Sequence, residues 1–383
     1  MPKLIRITTA PISLKSLLKG QMGYMQQNGF EVIMISSEGK EWEEVIAEEN
    51  CRHQIISMTR SITPFKDLRA LWRLYKFIKK ERPDIVHTHT PKAGLIGMLA
   101  ARFAGVKIRI HTIAGLRFMT VKGFTRKVLV SMEKLTAKAA THVWPNSFSL
   151  QQYIIDNKLV RKEKLEVIGL GSSNGINLSR FSTNALSPEK SAQIKSAISY
   201  DANLIYFLSV GRIVHDKGID ELVNAFRKVS EKNNRVRLIL LGSFEDEVDP
   251  VSDATKNILK TNPAIITPGW SNEVEYYMQF SYALIHASHR EGFPNVLLQA
   301  GAMLCPIICS RIEGNIDIVK HEETGLLFDV DNEDQLQAQM EYAIINPAPI
   351  KQYAANLRSR IEQHFDQAVL HTLLLKKYQE LLD

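Results

Sequence analysis

Residues 204–229 read LIYFLSVGRIVHDKGIDELVNAFRKV. Leu204–Val210 is a short, mostly aliphatic run with strand character, and it ends on Gly211. Ile219–Val229 has the apolar spacing of a helix. Between them, Gly211-Arg212-Ile213-Val214-His215-Asp216-Lys217-Gly218 forms a glycine turn carrying two cations toward a helix start. A strand, a glycine turn and a helix in that order make half of a βαβ unit, and the sheet is expected to be parallel. The turn suits a diphosphate. Arg212 offers a planar fork, Lys217 a mobile point charge, and a helix N-terminus offers backbone N–H groups with a favourable dipole. Ordinary turns also contain Gly-Arg and Lys-Gly pairs, so this stretch alone decides the fold class and leaves its chemistry open.

The same alternation extends in both directions. Downstream, strands are expected at Val236–Leu241, Ile265–Thr267, Tyr282–His286, Pro306–Cys309 and Gly325–Phe328. Upstream they are expected at Leu4–Ile7, Glu31–Ile35, Ile85–His87, Ile108–Thr112, Thr141–Trp144 and Leu165–Ile168. Helical patterns such as Asp67–Lys80 and Lys122–Ala139 lie between them, and the apolar stretch Ala93–Ala104 reads as a buried helix. The alternation lapses over the polar stretch Ser182–Ser199, which contains Pro188 and is read as a linker. The expectation is an α/β protein of two Rossmann-like, doubly wound parallel-sheet domains facing a central cleft. Residues 1–182 form the first domain and 183–365 the second, and 366–383 form a helix packing back toward the first. Ligands of such sheets bind beyond the carboxyl ends of the strands.

Composition sets the limits. The chain has 383 residues, 45% hydrophobic and 23% charged, enough for two cores at roughly 100–200 residues per domain. Cys51, Cys305 and Cys309 are its three cysteines, without CxxC spacing, so neither a disulfide framework nor a zinc site is indicated and a reduced, cytoplasmic compartment fits. The start MPKLIRITTAP is too short in apolar residues for a signal peptide, and no window reaches the roughly 20 apolar residues of a membrane span. Residues 1–182 hold 29 Lys and Arg against 14 Asp and Glu, a net +15, and the remainder holds 19 against 27, a net −8. A basic half beside an acidic half points to different partners.

A second motif is Glu291-Gly292-Phe293-Pro294-Asn295-Val296-Leu297-Leu298-Gln299-Ala300-Gly301. It follows the strand Tyr282–His286 and the loop Ala287–Arg290. Pro294 stands where a helix would begin. Glu291 would face a ligand just before it, and the first amides of the helix would be free to meet oxygen atoms.

The two motifs, in this order, resemble the retaining glycosyltransferases of family 4, which have the glycosyltransferase-B fold. Further likenesses are Leu240-Leu241-Gly242, Pro268-Gly269-Trp270, Gly314–Val319 with Glu323–Leu327, and Asn174–Asn177 with Arg180-Phe181. The resemblance implies that Gly211, Gly242, Trp270, Phe293, Pro294, Asn295, Val296 and Gln299 bind the donor. Arg212 and Lys217 would hold its diphosphate and Glu291 the transferring sugar. Two positions depart from the family pattern. Gln299 stands where glutamate usually holds the ribose, and Ala114 stands where histidine usually precedes Gly115. That histidine's backbone carbonyl is the group assigned a role there, and alanine keeps a carbonyl. His111 lies earlier in the same turn and is as consistent with a structural role as with a functional one.

Ala10–Leu14, Lys19-Gly20-Gln21, His111–Gly115, Gly171–Gly175 and Glu291–Gly301 are similar to bacterial enzymes that build surface glycans on lipid carriers, some of them N-acetylhexosaminyltransferases. Ser13, Lys15, His111 and Gly115 are accordingly placed on the acceptor side. The implied reaction transfers a hexose or N-acetylhexosamine from a UDP-sugar to a lipid-linked or oligosaccharide acceptor with retention, with no metal or other cofactor. Asp329-Val330-Asp331 comes too late to serve as a metal motif, and the pair His87/His89 reads as a cleft wall. Trp72, Tyr75, Phe77 and Ile78 read as the core side of a helix with a basic outer face. Phe118, Met119, Val121, Phe124 and Val128, among Lys122, Arg126 and Lys127, suit an anionic membrane surface, at the inner face of the cytoplasmic membrane. No nucleic-acid module accompanies the charge. Two other readings are an epimerase on the same fold, and a non-catalytic basic adaptor for nucleic acid or membrane.

Overall fold

The computed structural model describes residues 1–59, 61, 63–247 and 249–383, with Arg117 described by its backbone alone. The chain forms two compact units, Met1–Asn174 with Gln367–Asp383, and Gly175–Asp366.

The first unit holds strands β1 (Lys3–Ile7), β2 (Glu31–Ser36), β3 (Arg52–Ile55), β4 (Ile85–Thr88), β5 (Ile108–Ile113) and β6 (His142–Pro145). They form one parallel sheet in the order β3-β2-β1-β4-β5-β6. The central strands are buried along their length, which is why they read as continuous aliphatic runs. The helix Pro91–Phe103 packs small residues, Ala93, Gly94, Gly97 and Ala100, closely onto the sheet.

The second unit holds β7 (Ile205–Val210), β8 (Val236–Leu241), β9 (Ile265–Gly269), β10 (Ala283–His286), β11 (Ile307–Ser310) and β12 (Leu326–Phe328). Their order is β12-β11-β10-β7-β8-β9, again with parallel pairing. The helix Ile219–Lys232 buries Leu222, Val223, Phe226 and Val229 on one face against this sheet.

Three sequence expectations are corrected, and one strand is added. Residues 165–168 form no strand; Leu165 makes a single bridge to Val143, after which the chain turns through Gly169 and Gly171 at positive φ. Strand β3 carries no apolar signal because its residues, RHQI, lie exposed or half-buried at the sheet edge. The stretch 182–199 is not a linker. It holds the helix Pro188–Ala197, capped by the Ser187 hydroxyl, and belongs to the second unit. It reads as polar because Ile194 is the helix's one buried residue, and the division of the chain falls at Asn174/Gly175. Trp72 is not core: on the helix Pro64–Glu81 it is 55% exposed, while Ala70, Leu74 and Ile78 face inward.

The helix Gln367–Leu382 belongs to the first unit and covers a buried polar centre. Arg6 is fully buried there. Its Nε donates to His89 Nε2 (2.9 Å), Nη1 to Tyr378 Oη (2.8 Å) and Nη2 to Gln21 Oε1 (2.6 Å). Because Arg6 occupies Nε2 of His89 as a donor, the neutral ring carries its proton on Nδ1. Tyr378 Oη in turn lies 2.5 Å from His87 Nδ1, and His87 Nε2 lies 2.8 Å from Thr112 Oγ1. Burial holds both histidines well below the ordinary imidazole range and pushes the Tyr378 phenol up to about 12, so the network is neutral apart from Arg6. His87 and His89 are thus structural and bind Tyr378 and Arg6. No described helix is long and apolar enough to cross a membrane.

Candidate active site

In the second unit, β7 and β10 are neighbours, so the loops that leave their carboxyl ends lie side by side. One is Gly211–Gly218 and the other Ala287–Pro294. One glycine allows the close approach. A Cβ at Gly218, where φ is +65°, would sit 2.1 Å from the Ala287 carbonyl oxygen, and a side chain there would force the loops apart. Gly242, at the end of β8, does the same for the first loop's other neighbour, since a Cβ there would sit 1.7 Å from the Gly211 carbonyl oxygen.

This packing brings Lys217 and Glu291 together. Lys217 Nζ and Glu291 Oε1 form an ion pair, and His286 Nε2 lies 3.1 Å from the same carboxylate oxygen. Burial alone would push the Glu291 carboxyl up. The Lys217 charge and the His286 contact outweigh it and hold the group well below the usual carboxylate range, so Glu291 is ionised. Arg212 Nη1 pairs with Glu245 Oε2 at 2.8 Å, with both side chains more than a third exposed. Such a pair holds its partners weakly, which leaves the guanidinium free to exchange partners.

The helix Asn295–Ala302 starts directly after Glu291–Pro294, with Pro294 as its N-cap residue. Phe293 is buried against Phe365, with ring centroids 5.4 Å apart, and anchors the loop from below. Asn295, Val296 and Gln299 are half-buried on that helix. Trp270 is exposed in the turn after β9. The short helix Asn315–Ile318 braces the second loop from beneath. Asn315 Nδ2 donates to the Ser310 carbonyl (2.9 Å), and Ser310 Oγ donates to that of Ser288 (2.5 Å).

The motif analysis assigned no role to Asp216, His286, His289 or Arg290. Arg290 and Asp216 form an ion pair at 2.8 Å. His289 Nε2 lies 3.3 Å from both Glu221 Oε1 and Asp331 Oδ1. The neighbouring Glu221 carboxylate raises this imidazole's pKa. Among the described residues, Glu221, His289 and Asp331 are the one group of three side chains whose ligand-type atoms could converge on an ion. Asp331 therefore packs beside the second loop, which its late place in the sequence did not suggest. The alternation of Asp216-Lys217 with Arg290-Glu291 was the available signal, but it means something only once the two loops are known to adjoin.

In the first unit, Ala114 is exposed immediately after β5, and Gly115 follows at φ +128°. Ser13 and Lys15 are half-buried on the helix Pro11–Leu17, where Lys15 Nζ pairs with Glu44 Oε2 at 2.6 Å. His111 does not join them. It lies within β5, its ring against Gly94 and its Nδ1 2.8 Å from Thr88 Oγ1, and burial pushes its pKa down to about 4. It is a packed core residue.

Two doubly wound domains, one of them carrying a cation-bearing glycine turn beside a buried carboxylate, define a glycosyltransferase of the glycosyltransferase-B fold. Residues 191–364 match the family described as "Glycosyl transferases group 1" and residues 19–171 the "Glycosyl transferase 4-like domain". The chain is 33% identical over 381 residues to the capsular polysaccharide biosynthesis glycosyltransferase CapM of Staphylococcus aureus, covering 99% of this chain and 97% of that one. It is 26% identical over 340 residues to the UDP-Gal:alpha-D-GlcNAc-diphosphoundecaprenol alpha-1,3-galactosyltransferase of Escherichia coli, covering 86% of each. In fold it is similar to Anabaena Alr3699/HepE in complex with UDP, with a TM-score of 0.80 and 16% identity over 99% of this chain and 100% of that one. It is likewise similar to the sucrose-phosphate synthase of Thermosynechococcus elongatus, with a TM-score of 0.80 and 18% identity over 100% and 99% of the two chains. The chain belongs to the group 1 glycosyltransferases.

Proposed function

We propose that this enzyme transfers a hexose or N-acetylhexosamine from a UDP-sugar to a lipid-linked or oligosaccharide acceptor during assembly of a bacterial surface polysaccharide, with retention and without a metal ion. The observation that carries this reading is the ion pair of Lys217 and the mostly buried Glu291 on adjoining loops. Cleaving the sugar–phosphate bond builds positive charge on the sugar and negative charge on the departing diphosphate. Lys217 and the exchangeable Arg212 answer the negative charge, and preorganised cations are most effective where water is excluded. Glu291, held ionised, accepts hydrogen bonds from sugar hydroxyls. The amides at the start of the helix Asn295–Ala302 and the side chain of Gln299 complete the donor's surroundings.

The relatives support the acceptor class, since the Escherichia coli enzyme acts on a sugar-diphosphoundecaprenol. The test is transfer from a panel of labelled UDP-sugars to a synthetic sugar-diphosphoprenyl acceptor, with and without EDTA. We expect one or two donors to be used and the rate to be unchanged by the chelator. Full loss of activity with EDTA, restored by Mg²⁺ or Mn²⁺, would overturn the metal-free mechanism and direct attention to Glu221, His289 and Asp331. Isomerised donor without acceptor would mark an epimerase.

We further propose that the first unit rests on the anionic inner face of the cytoplasmic membrane. Phe124 is 79% exposed among Lys122, Arg126 and Lys127, all exposed. On the helix Pro64–Glu81, Phe65 is 90% exposed, and Leu68 and Trp72 line up with it among Lys66, Arg69, Arg73 and Lys76. Phe118, by contrast, packs into the core and Met119 against it. Each cation near an anionic surface contributes about 1 kcal/mol. In liposome flotation the enzyme is expected to float with anionic vesicles and to sink with neutral ones. Binding that is equal for both, and unchanged by Lys122→Glu/Arg126→Glu/Lys127→Glu, would refute this.

A further inference from the structure

Two successive residues of the first loop, Asp216 and Lys217, face two successive residues of the second, Arg290 and Glu291. The charges run minus-plus on one and plus-minus on the other. Lys217 pairs with Glu291, and Arg290 pairs with Asp216 through two hydrogen-bonding contacts, Nε to Oδ1 at 3.1 Å and Nη2 to Oδ2 at 2.8 Å. Asp216 is fixed on every side. Its backbone N–H donates to Asp249 Oδ2 (2.8 Å), and its carbonyl accepts the His289 N–H (3.0 Å) and the Ser288 hydroxyl (3.3 Å).

The two ion pairs cannot have the same task. On the proposed function, which this inference rests on, the Lys217 ammonium must turn to a diphosphate and Glu291 to a sugar, so their mutual pair is loosened whenever the donor is bound. The loops then lose one of their ties when their alignment matters most. The neighbouring pair keeps its partners on that reading. Its guanidinium and carboxylate meet in a planar fork that fixes orientation as well as distance, and both side chains are mostly buried.

We infer that Arg290 and Asp216 are a positioning pair, which keeps the two donor loops in register while Lys217 and Glu291 exchange each other for the donor. Neither residue touches the reacting atoms. Their effect is exerted through where Lys217 and Glu291 stand, and a displacement of about 1 Å at such groups can cost up to about 100-fold in rate.

The experiment is a double-mutant cycle of Arg290→Ala, Asp216→Ala and the double variant. For each, kcat and KM are measured with the preferred UDP-sugar, the UDP dissociation constant by calorimetry, and Tm as a control for folding. Each single variant is expected to lose about tenfold or more in kcat, with the UDP dissociation constant within about threefold of the wild type. The double variant is expected to be no worse than the poorer single one, because both substitutions break the same tie. Arg290→Lys, which keeps the charge and loses the fork, should also lose most of kcat; it serves in place of the alanine variant if that does not fold. Wild-type kcat in Arg290→Ala, or losses that multiply in the double variant, would overturn the pairing. A loss confined to UDP affinity would show Arg290 to be a donor ligand and would overturn it too. A wild type inert with every UDP-sugar would instead overturn the functional reading on which the pair depends.

Discussion

Alanine at Lys217 is expected to slow sugar transfer by about 100-fold or more at saturating donor, the usual cost of removing one preorganised charge stabiliser from a leaving group. The loss should exceed that of Arg212→Ala, because Arg212 sits in an exposed pair with Glu245 and reaches the diphosphate from a wetter place. A stability effect accompanies it. Glu291 is depressed below its ordinary value of 4.5, so in the wild type it stabilises the fold above that value, and the contribution is lost as pH falls through the folded-state value. Without Lys217 the carboxylate is buried beside His286 alone, and the neutral-pH advantage shrinks. Steady-state rates at neutral pH, together with Tm measured from neutral pH down to about pH 2, test both parts. A near-normal rate in Lys217→Ala would remove the diphosphate assignment.

The largest loss of stability is expected from Arg6→Ala. Truncation leaves His89 Nε2, Tyr378 Oη and Gln21 Oε1 without the donor that each now has, inside a buried centre. Leaving a buried polar atom without its hydrogen-bond partner typically costs about 1–3 kcal/mol for each such atom. The loss should be greatest in the helix Gln367–Leu382, because Tyr378 is its fully buried anchor. Hydrogen exchange resolves this. Amides of residues 370–382 should lose protection in Arg6→Ala while those of Ile219–Lys232 keep theirs. Unchanged protection at the C-terminal helix would show that Tyr378 is held by packing against Trp144 and Phe30 rather than by Arg6.

Much of the donor loop architecture was legible before any coordinates. Gly211 and Gly242 stand at strand ends and Gly218 at a helix start, and the structure shows what Gly218 and Gly242 prevent, a clash with a neighbouring carbonyl. Other features left no trace. Strand β3 is polar because it is an exposed edge, and an edge strand has no need of the aliphatic run that marks a central one. His111 looked like a residue at a strand end, yet it is a ring packed against Gly94, since alternation along a strand does not say which face meets a helix.

What the sequence by itself determined was the alternation of strand and helix, the parallel sheets that follow from it, and the identity of the cations and carboxylate at two strand ends. Tertiary structure alone decided which of them meet. Lys217 and Glu291 stand 74 residues apart, and they touch because the chain after β7 lays β8 and β9 on one side and returns to place β10 on the other. Strand order in a parallel sheet is set by the direction of each crossover and by the burial of each helix against its neighbours. These are long-range choices that no local run of residues encodes. The same return set Arg290 against Asp216, turning two unremarkable charges into the second tie between the loops.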